Sequence, residues 1–483
     1  MGDLSNSSVV KNIAFNLLRV ICGIIFPLIS FPYAARVLGV VNIGKVNYCT
    51  SVINYFVLFA GLGINVYATR EGAKYRDNKE ELSKFVKEVL VINIASTIIS
   101  FAVLFLLVSL HFFDKYIEVL WICSLTIAFT TFKIEWLYQI KEDFKYITIR
   151  TIIIQFISFI CLFCFVRNRD DYAIYALITV IATGGNCFIN LWQSKRIVNW
   201  NGHYGYDFRR HFKPLLTIFG VSLSTSIYLS LDTVMVGAIR NDYEVGLYSA
   251  AVKLNSVIKT LITSVSTVML SRLSYYIAKD KRDNYAELLK DGINCILILV
   301  IPASLGIAFL HEEVIELFCG KEFLNAGIAC IILAINMAFS VTDGMLYNQV
   351  CLPNGLEKEA SYATFVGAGV NFILNLIFIY KWGYIGASIT TLISEVIVFG
   401  ILIRTASKVI SLAHIFESSN QFLAAGGIML TGLCGFSLLM NLKALPHTII
   451  SVIVGGCIYI SCLLLFRNPF LLKCINAVKN IRR

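Results

Sequence analysis

The stretch TIIIQFISFICLFCF (151–165) decides the fold class of this chain, because most of its side chains are apolar. The segments SFAVLFLLVSL (100–110) and TIISVIVGGCIYISCLLLF (448–466) have the same character. With their flanks they reach about 20 residues, the length at which an α-helix crosses a lipid bilayer. We therefore predict an all-α, polytopic membrane protein.

Composition and cysteine usage agree with this class. The 483 residues are 57% hydrophobic and 15% charged, and the mean hydropathy is +0.75, whereas a soluble chain of this length would form domains with polar surfaces. The 14 cysteines are scattered, and the CxxC of Cys161 and Cys164 lies in an apolar segment, where small packing residues are expected. The first apolar segment is long and lacks a small-residue cleavage site, so we expect a permanent helix and not a cleaved signal.

Hydropathy predicts about 14 transmembrane helices and their orientation. The predicted helices are 12–38, 43–67, 86–111, 116–140, 146–166, 172–193, 214–239, 246–272, 290–311, 325–350, 359–380, 383–406, 421–441 and 447–466. An even number places both termini on one side, and the loops of that side hold most of the lysine and arginine. By the positive-inside rule both termini are cytoplasmic. The net charge of +11 then reflects topology and attraction to anionic headgroups, so nucleic acid is not an expected partner.

A polar, basic segment, KRIVNWNGHYGYDFRRHFK (195–213), divides the chain and suits an interfacial helix or loop. Segments on its two sides look weakly alike, for example DYAIYALITVIAT (171–183) and GYIGASITTLISE (383–395). A repeat of six helices predicts two parallel, pseudo-symmetric lobes with a binding site between them near mid-bilayer. Chance similarity between apolar segments is the alternative. The predicted organisation is an N-lobe at 1–193, a linker at 194–213, a C-lobe at 214–410, and two further helices with a basic tail at 411–483.

The first helix carries a polar face. Asn12, Asn16 and Arg19 recur at helical spacing, which places them on one side of the helix. Pro27 and Pro32 follow, and each removes a backbone hydrogen bond. We predict a cavity wall in which the polar side chains meet the substrate and the prolines form a hinge. The alternative is a helix shaped only by packing, with Arg19 snorkelling to the headgroups.

Amides and charges continue in later helices. Asn47 and Asn54 lie along the second helix, where they either line a cavity or bind neighbouring helices. Lys253 and Lys259 lie in the eighth helix, about 120° apart around its axis. Asp232 lies late in the seventh helix at a similar depth. The lysines predict a cationic surface for an anionic substrate, masked by Asp232, and a structural Asp232–Lys253 ion pair is the alternative.

Two acids are predicted at membrane depth. Asp343 lies in the tenth helix and Glu395 in the twelfth, where an acid is a natural carrier for a coupling proton or sodium ion. A satisfied hydrogen bond to a neighbouring helix is the alternative. Lys133, Glu135 and Arg150 are predicted near the cytoplasmic surface. Beyond a coupling ion the sequence predicts no cofactor, metal or catalytic residue.

Several ordered motifs resemble one family. They are SFPYAARVLGVVNIGKVNY (30–48), LFAGLGINVYATRE (58–71), EWLYQIKEDFKYITIR (135–150), LDTVMVGAIRNDYEVGLYSAAVKL (231–254), LPNGLEKEASYATFVGAGVNFILNLI (352–377) and YIGASITTLISE (384–395). Together they resemble the polysaccharide transporter family of the MOP superfamily, which includes O-antigen and capsule flippases of the Wzx type. Ser271 departs from the family, whose members often carry proline there.

The resemblance implies two six-helix lobes around a V-shaped central cavity, with two added helices. It implies a cargo, an undecaprenyl-pyrophosphate-linked oligosaccharide that is turned from the inner to the outer leaflet by alternating access. Arg19, Lys253 and Lys259 would then attract the pyrophosphate electrostatically. The expected partners are this lipid, the phospholipid bilayer and other membrane proteins of glycan assembly.

Two other classes compete with this interpretation. A cation-driven drug exporter should favour embedded acids over bases, whereas this chain places cations in the first and eighth helices; a flippase for a peptidoglycan precursor is the other transporter. A membrane glycan polymerase, ligase or glycosyltransferase needs a sizeable outer loop or a catalytic acidic motif. The outer loops of this chain are short, and its histidines show no nucleophile or metal-ligand spacing. We therefore predict a transporter and not an enzyme.

Overall fold

A computed structural model describes residues 2–202, 204–439 and 443–481. Within these ranges, the side chains of some residues lie outside the description, namely those of 2–14, 16–17, 20, 24, 221, 224–225, 227–229, 265–268, 270–271, 478 and 480–481. The described part of the chain consists of helices and the loops between them, without a β-strand. The predicted all-α class is confirmed.

Eighteen α-helices are present in the described residues. They are α1 (Gly2–Gly61), α2 (Ile64–Gly72), α3 (Lys79–Ser109), α4 (Ile117–Phe132), α5 (Glu135–Ile140), α6 (Phe144–Phe165), α7 (Tyr172–Gly184), α8 (Asn186–Ser194), α9 (Arg209–Ile239), α10 (Asp242–Ala278), α11 (Arg282–Phe309), α12 (His311–Cys319), α13 (Gly327–Met345), α14 (Glu357–Ala406), α15 (Leu412–Ile415), α16 (Ser419–Leu439), α17 (Ala444–Leu465) and α18 (Pro469–Ile481).

The long helices have the dimensions and surfaces of membrane spans. Ten helical stretches in the described residues are long and apolar enough to cross a bilayer. Large apolar side chains point outward along them: Phe105 is 62% exposed and Leu438 is 89% exposed. Exposed apolar surface on this scale needs a non-aqueous surrounding, and hydrocarbon supplies it. The chain is a multi-pass membrane protein.

Two of the long helices contain an internal break. α1 is interrupted at Gly39 (φ 75°, ψ 174°), and α14 is interrupted at Gly383 (φ 58°, ψ −136°). Positive φ favours glycine because it has no Cβ. These glycines fall where the sequence predicts one helix to end and the next to begin. The helices α9 and α10 occupy the positions of the predicted seventh and eighth spans, and the total of 14 stays a prediction.

Other breaks were not predicted from hydropathy. The predicted helix 43–67 is divided at Leu62 and Gly63, whose φ angles are 43° and 71°. The predicted helix 116–140 is divided at Ile134, where φ is 33°. The predicted helix 325–350 ends in a π-helical turn at Leu346–Cys351. Hydropathy averages over many residues, so it does not detect a single residue with a left-handed backbone.

The contacts divide the chain into two compact units. Unit 1 comprises residues 1–237 and 241–246, and unit 2 comprises 238–240 and 247–483. In unit 1, α1 packs against α3, α4 and α6, and in unit 2, α13 packs against α11 and α14. The predicted division into lobes at 1–193 and 214–410, with a linker and a C-terminal pair of helices, stays a prediction.

In unit 1 the basic segment before α9 packs on one face of α3. The Ser83 hydroxyl accepts from the Asn199 amide at 2.9 Å, and the Lys87 ammonium donates to the Gly202 carbonyl at 2.6 Å. Val198 joins an apolar cluster with residues of α2, α3 and α5. The predicted polar linker is therefore folded against the helices and does not extend freely from them.

Candidate functional site

The principal charged cluster of unit 1 joins α1, α5 and α6. Arg19 Nη1 lies 2.6 Å from Glu135 Oε1. The other carboxylate oxygen, Oε2, lies 3.4 Å from both Lys133 Nζ and Arg150 Nη2. Three cations therefore surround one carboxylate, which leaves the cluster with an excess of positive charge.

Local backbone geometry places Glu135 at the centre of this cluster. α4 ends at Phe132, and the left-handed Ile134 turns the chain so that α5 begins with Glu135. Positive φ in a β-branched residue is unusual and is strained. The break therefore sets the position of Glu135 as the first residue of α5.

Arg150 is held rigidly. Its guanidinium donates to Asn190 Oδ1 of α8 and lies 5.2 Å from the centroid of the Tyr146 ring. Asn190 in turn donates to the Lys133 carbonyl and accepts at its own carbonyl from the Tyr138 hydroxyl, at 2.6 Å. Only 3% of the Arg150 side chain is exposed, against 28% for Arg19 and 33% for Lys133. The cluster thus combines one fixed cation with two that solvent can reach.

The remaining predicted residues of the first two helices differ in environment. The side chains of Asn12 and Asn16 lie outside the described residues. Asn47 is partly buried and Asn54 is exposed, and their contact with a substrate stays a prediction.

The helix α1 continues through Pro27 and Pro32, and its non-helical backbone angles occur at Gly39. The predicted hinge role of the two prolines stays a prediction, and Gly39 is the position at which the chain changes direction.

In unit 2 the predicted cations are partly buried. Lys253 and Lys259 lie on α10, and neither forms an ion pair within the described part of unit 2. Asp232 is buried in the last third of α9. Because Asp232 belongs to unit 1 and Lys253 to unit 2, the ion pair considered from the sequence stays a prediction.

The two predicted acids are also in unit 2. Asp343 on α13 is 5% exposed, and both of its carboxylate oxygens are buried without a hydrogen-bond partner in the described part of that unit. The charge of Lys259 acts on it electrostatically. Glu395 on α14 is 5% exposed and is likewise unpaired there. A buried carboxylate without partners is unfavourable, so these positions are candidates for binding a proton or a cation.

Other buried polar atoms of α10 and α13 are unsatisfied. The Asn255 amide of α10 donates to the Cys330 thiol of α13 at 3.7 Å, which brings the two helices together. The side-chain oxygens of Asn255 and Asn336 are buried and unpaired in the described residues. In the described part of the chain, no group of three or more His, Cys, Asp or Glu residues is placed to hold a metal ion.

Residues 9–276 match a family described as polysaccharide biosynthesis protein. The chain belongs to this family. A putative O-antigen transporter of Escherichia coli (strain K12) is 25% identical over 408 residues, which are 83% of this chain and 94% of the relative. The probable low-salt glycan biosynthesis flippase Agl15 of Haloferax volcanii is 25% identical over 249 residues, 51% of this chain and 52% of that relative. The resemblance to the polysaccharide transporter family is thereby confirmed.

A solved structure shares the fold. Lipid II flippase MurJ in an inward closed conformation superposes with a TM-score of 0.75 at 18% identity, over 95% of this chain and 100% of that one. A multidrug resistance MATE family transporter of the MOP superfamily, in an inward-facing conformation, superposes with a TM-score of 0.57 at 12% identity, over 80% of this chain and 94% of that one. At these identities the likeness concerns the fold alone.

Proposed function

We propose that this protein is a flippase for polyprenyl-pyrophosphate-linked oligosaccharides, the lipid-linked repeat units of O-antigen or of a capsular or exopolysaccharide. It moves them from the inner to the outer leaflet of the bacterial plasma membrane by alternating access, with both termini in the cytoplasm. The observation that carries the proposal is the excess of cations around Glu135 inside a multi-pass helical unit. Cations held together in this way suit an anionic headgroup.

The family and the named relatives support transport over catalysis. The relatives are described as an O-antigen transporter and a glycan flippase. In this proposal the sugars meet amide and hydroxyl side chains, Lys253 and Lys259 contribute to pyrophosphate attraction, and the polyprenyl tail stays in lipid. Membrane proteins that assemble or polymerise the same glycan are its proposed partners.

Substitution of the α10 lysines is expected to slow translocation. In vesicles with lipid-pyrophosphate-linked oligosaccharide in both leaflets, external glycosidase reports the glycans that reach the outside. Lys253→Ala and Lys259→Ala should lower the rate about tenfold or more, because a hydrogen bond to a charged group contributes roughly 1.5–3 kcal/mol. Lys279→Ala, at an exposed lysine directly after α10, is the matched control. Unchanged translocation rates in both α10 variants would show that these lysines do not bind the cargo.

Ion coupling is proposed to use one of the two buried acids of unit 2. Asp343→Asn and Glu395→Gln remove the charge and keep the shape, so only the variant that lacks the ion carrier should lose its response to an imposed gradient. We expect wild-type translocation to accelerate with a proton or sodium gradient, and one variant to proceed at the same rate with and without it. A gradient response retained by both variants would exclude both acids as the carrier.

A further inference from the structure

We propose that Glu135 is an internal competitor for the diphosphate of the cargo: it binds Arg19 and Lys133 until a diphosphate replaces it. This inference rests on the proposed function and assigns a headgroup-receiving site to unit 1. Glu135 is a positioning residue in this scheme, since the atoms that would contact the diphosphate belong to the two cations.

The charges of the cluster support an exchange of anions. Arg19, Lys133 and Arg150 contribute three positive charges, and Glu135 contributes one negative charge. Asp143, at the start of α6, accepts from the Tyr146 amide at 3.1 Å and adds a second negative charge, which three positive charges still exceed. The cluster therefore attracts a second anion while Glu135 is still present.

The buried cation and the two solvent-accessible cations have different roles in this exchange. Arg150 is fixed by Asn190 and is almost completely buried, so it remains beside Glu135. Arg19 and Lys133 are about one-third exposed and have flexible side chains. They can turn toward an incoming headgroup, and Arg150 then still neutralises the carboxylate. The exchange leaves no charge unpaired, which avoids the cost of an uncompensated buried charge.

The ligand class follows from the two available cations. A diphosphate offers one phosphate group to each of the two cations, whereas a monophosphate offers only one group to both, and an arginine guanidinium binds phosphate oxygens with paired hydrogen bonds. Because Glu135 offers the same cations an alternative partner, the diphosphate is held reversibly. Reversible binding is what a carrier needs, since overly tight binding of its cargo would slow release.

The test measures binding of a sugar-free farnesyl diphosphate to the purified full-length protein in detergent, with farnesyl monophosphate as the comparison. Glu135→Gln removes the competing charge and keeps a hydrogen-bonding side chain, so we expect the affinity for the diphosphate to rise about tenfold. Arg19→Gln and Lys133→Gln should each lower it by a similar factor.

In the flipping assay Glu135→Gln should be slower than wild type at saturating cargo, because release is impaired.

The control is Glu142→Gln, at an exposed carboxylate that pairs with Arg76 at 2.6 Å in the same unit; it should leave the affinity unchanged. Weaker diphosphate binding by Glu135→Gln, or an unchanged affinity, would overturn the competitor role and leave the proposed function standing if wild type still binds the diphosphate. Equal wild-type affinity for diphosphate and monophosphate would overturn the diphosphate assignment itself. If Glu135→Gln does not fold, an unchanged affinity in Lys133→Gln overturns the proposed site.

Discussion

Replacement of Gly44 by alanine is expected to destabilise unit 1 by several kcal/mol. A Cβ at Gly44 would lie 1.8 Å from the Asp242 carbonyl oxygen and 2.8 Å from the Gly246 amide nitrogen. Gly246 faces the same crossing, since its Cβ would lie 2.1 Å from the Val40 carbonyl oxygen. Both obstacles are backbone atoms, so relief requires that the start of α10 move away from α1.

That movement would also break a set of polar contacts. The Asp242 carboxylate accepts from the Tyr116 hydroxyl at 2.7 Å and pairs with Lys115 Nζ at 2.6 Å, although only 4% of the residue is exposed. Displacement of Asp242 would leave its buried carboxylate and the Tyr116 hydroxyl without partners. Each unsatisfied group costs about 1–3 kcal/mol or more. The clash and the lost contacts therefore both lower the stability of unit 1.

Thermal unfolding in detergent measures this effect, with Gly369→Ala as the control. Gly369 lies within α14 and a Cβ there meets nothing within 4 Å. Alanine in an open helical position stabilises a helix by about 0.5–1 kcal/mol relative to glycine, so the control should unfold at the same or a higher temperature. A Gly44→Ala protein as stable as wild type would show that α1 and the start of α10 are not in close contact at Gly44.

The second large effect is expected for Glu88→Ala. Glu88 on α3 is completely buried, and its carboxylate accepts from Arg210 Nη2 at 2.5 Å, from His211 Nε2 at 2.9 Å and from the Asp207 amide at 2.7 Å. The other ring nitrogen of His211 lies 2.7 Å from the Tyr67 hydroxyl. Removing one partner of a buried charged cluster costs about 3–5 kcal/mol, because the remaining groups lose their compensation.

The loss of stability in Glu88→Ala should be measurable both in global unfolding and in local proteolysis. These contacts attach the segment before α9 to α3, so Glu88→Ala should unfold at a lower temperature and should be cleaved faster by trypsin at Lys195 and Arg196, which are exposed at the start of that segment. Glu142→Ala breaks an exposed ion pair, and such a pair is worth about 0–1 kcal/mol. Cleavage of Glu88→Ala at the wild-type rate would contradict the role of Glu88 in holding the segment.

The fold could be predicted from the sequence because its main determinant is local. Apolar length alone indicates membrane helices, and the breaks at Gly39 and Gly383 coincide with short interruptions of hydropathy. The break at Ile134 lies between Lys133 and Glu135, within a segment that hydropathy assigns to one helix, and a β-branched residue gives no indication of a left-handed backbone. Breaks of that kind depend on tertiary contacts, and a hydropathy average over neighbouring residues carries no information about them.

The site could be predicted only in part, for a related reason. Helical spacing identifies Arg19 as part of a polar face, and the apolar surroundings of Asp343 and Glu395 indicate that they are embedded. Arg19 binds Glu135, which is separated from it by 116 positions. No local pattern connects the two, and the motif that begins at Glu135 indicates a family without revealing what its first residue binds. Alternation between the two leaflets likewise depends on motion that a pattern of residues does not encode.

The central claim is that this protein moves a lipid-linked glycan selectively across the bilayer. The most direct test follows two labelled lipids in the same protein-containing vesicles, a polyprenyl-pyrophosphate-linked oligosaccharide and an ordinary phospholipid. We predict protein-dependent arrival of the glycan lipid in the outer leaflet while the phospholipid stays where it was placed. Movement of both lipids at the same rate, or of neither under a proton or sodium gradient, would contradict the claim.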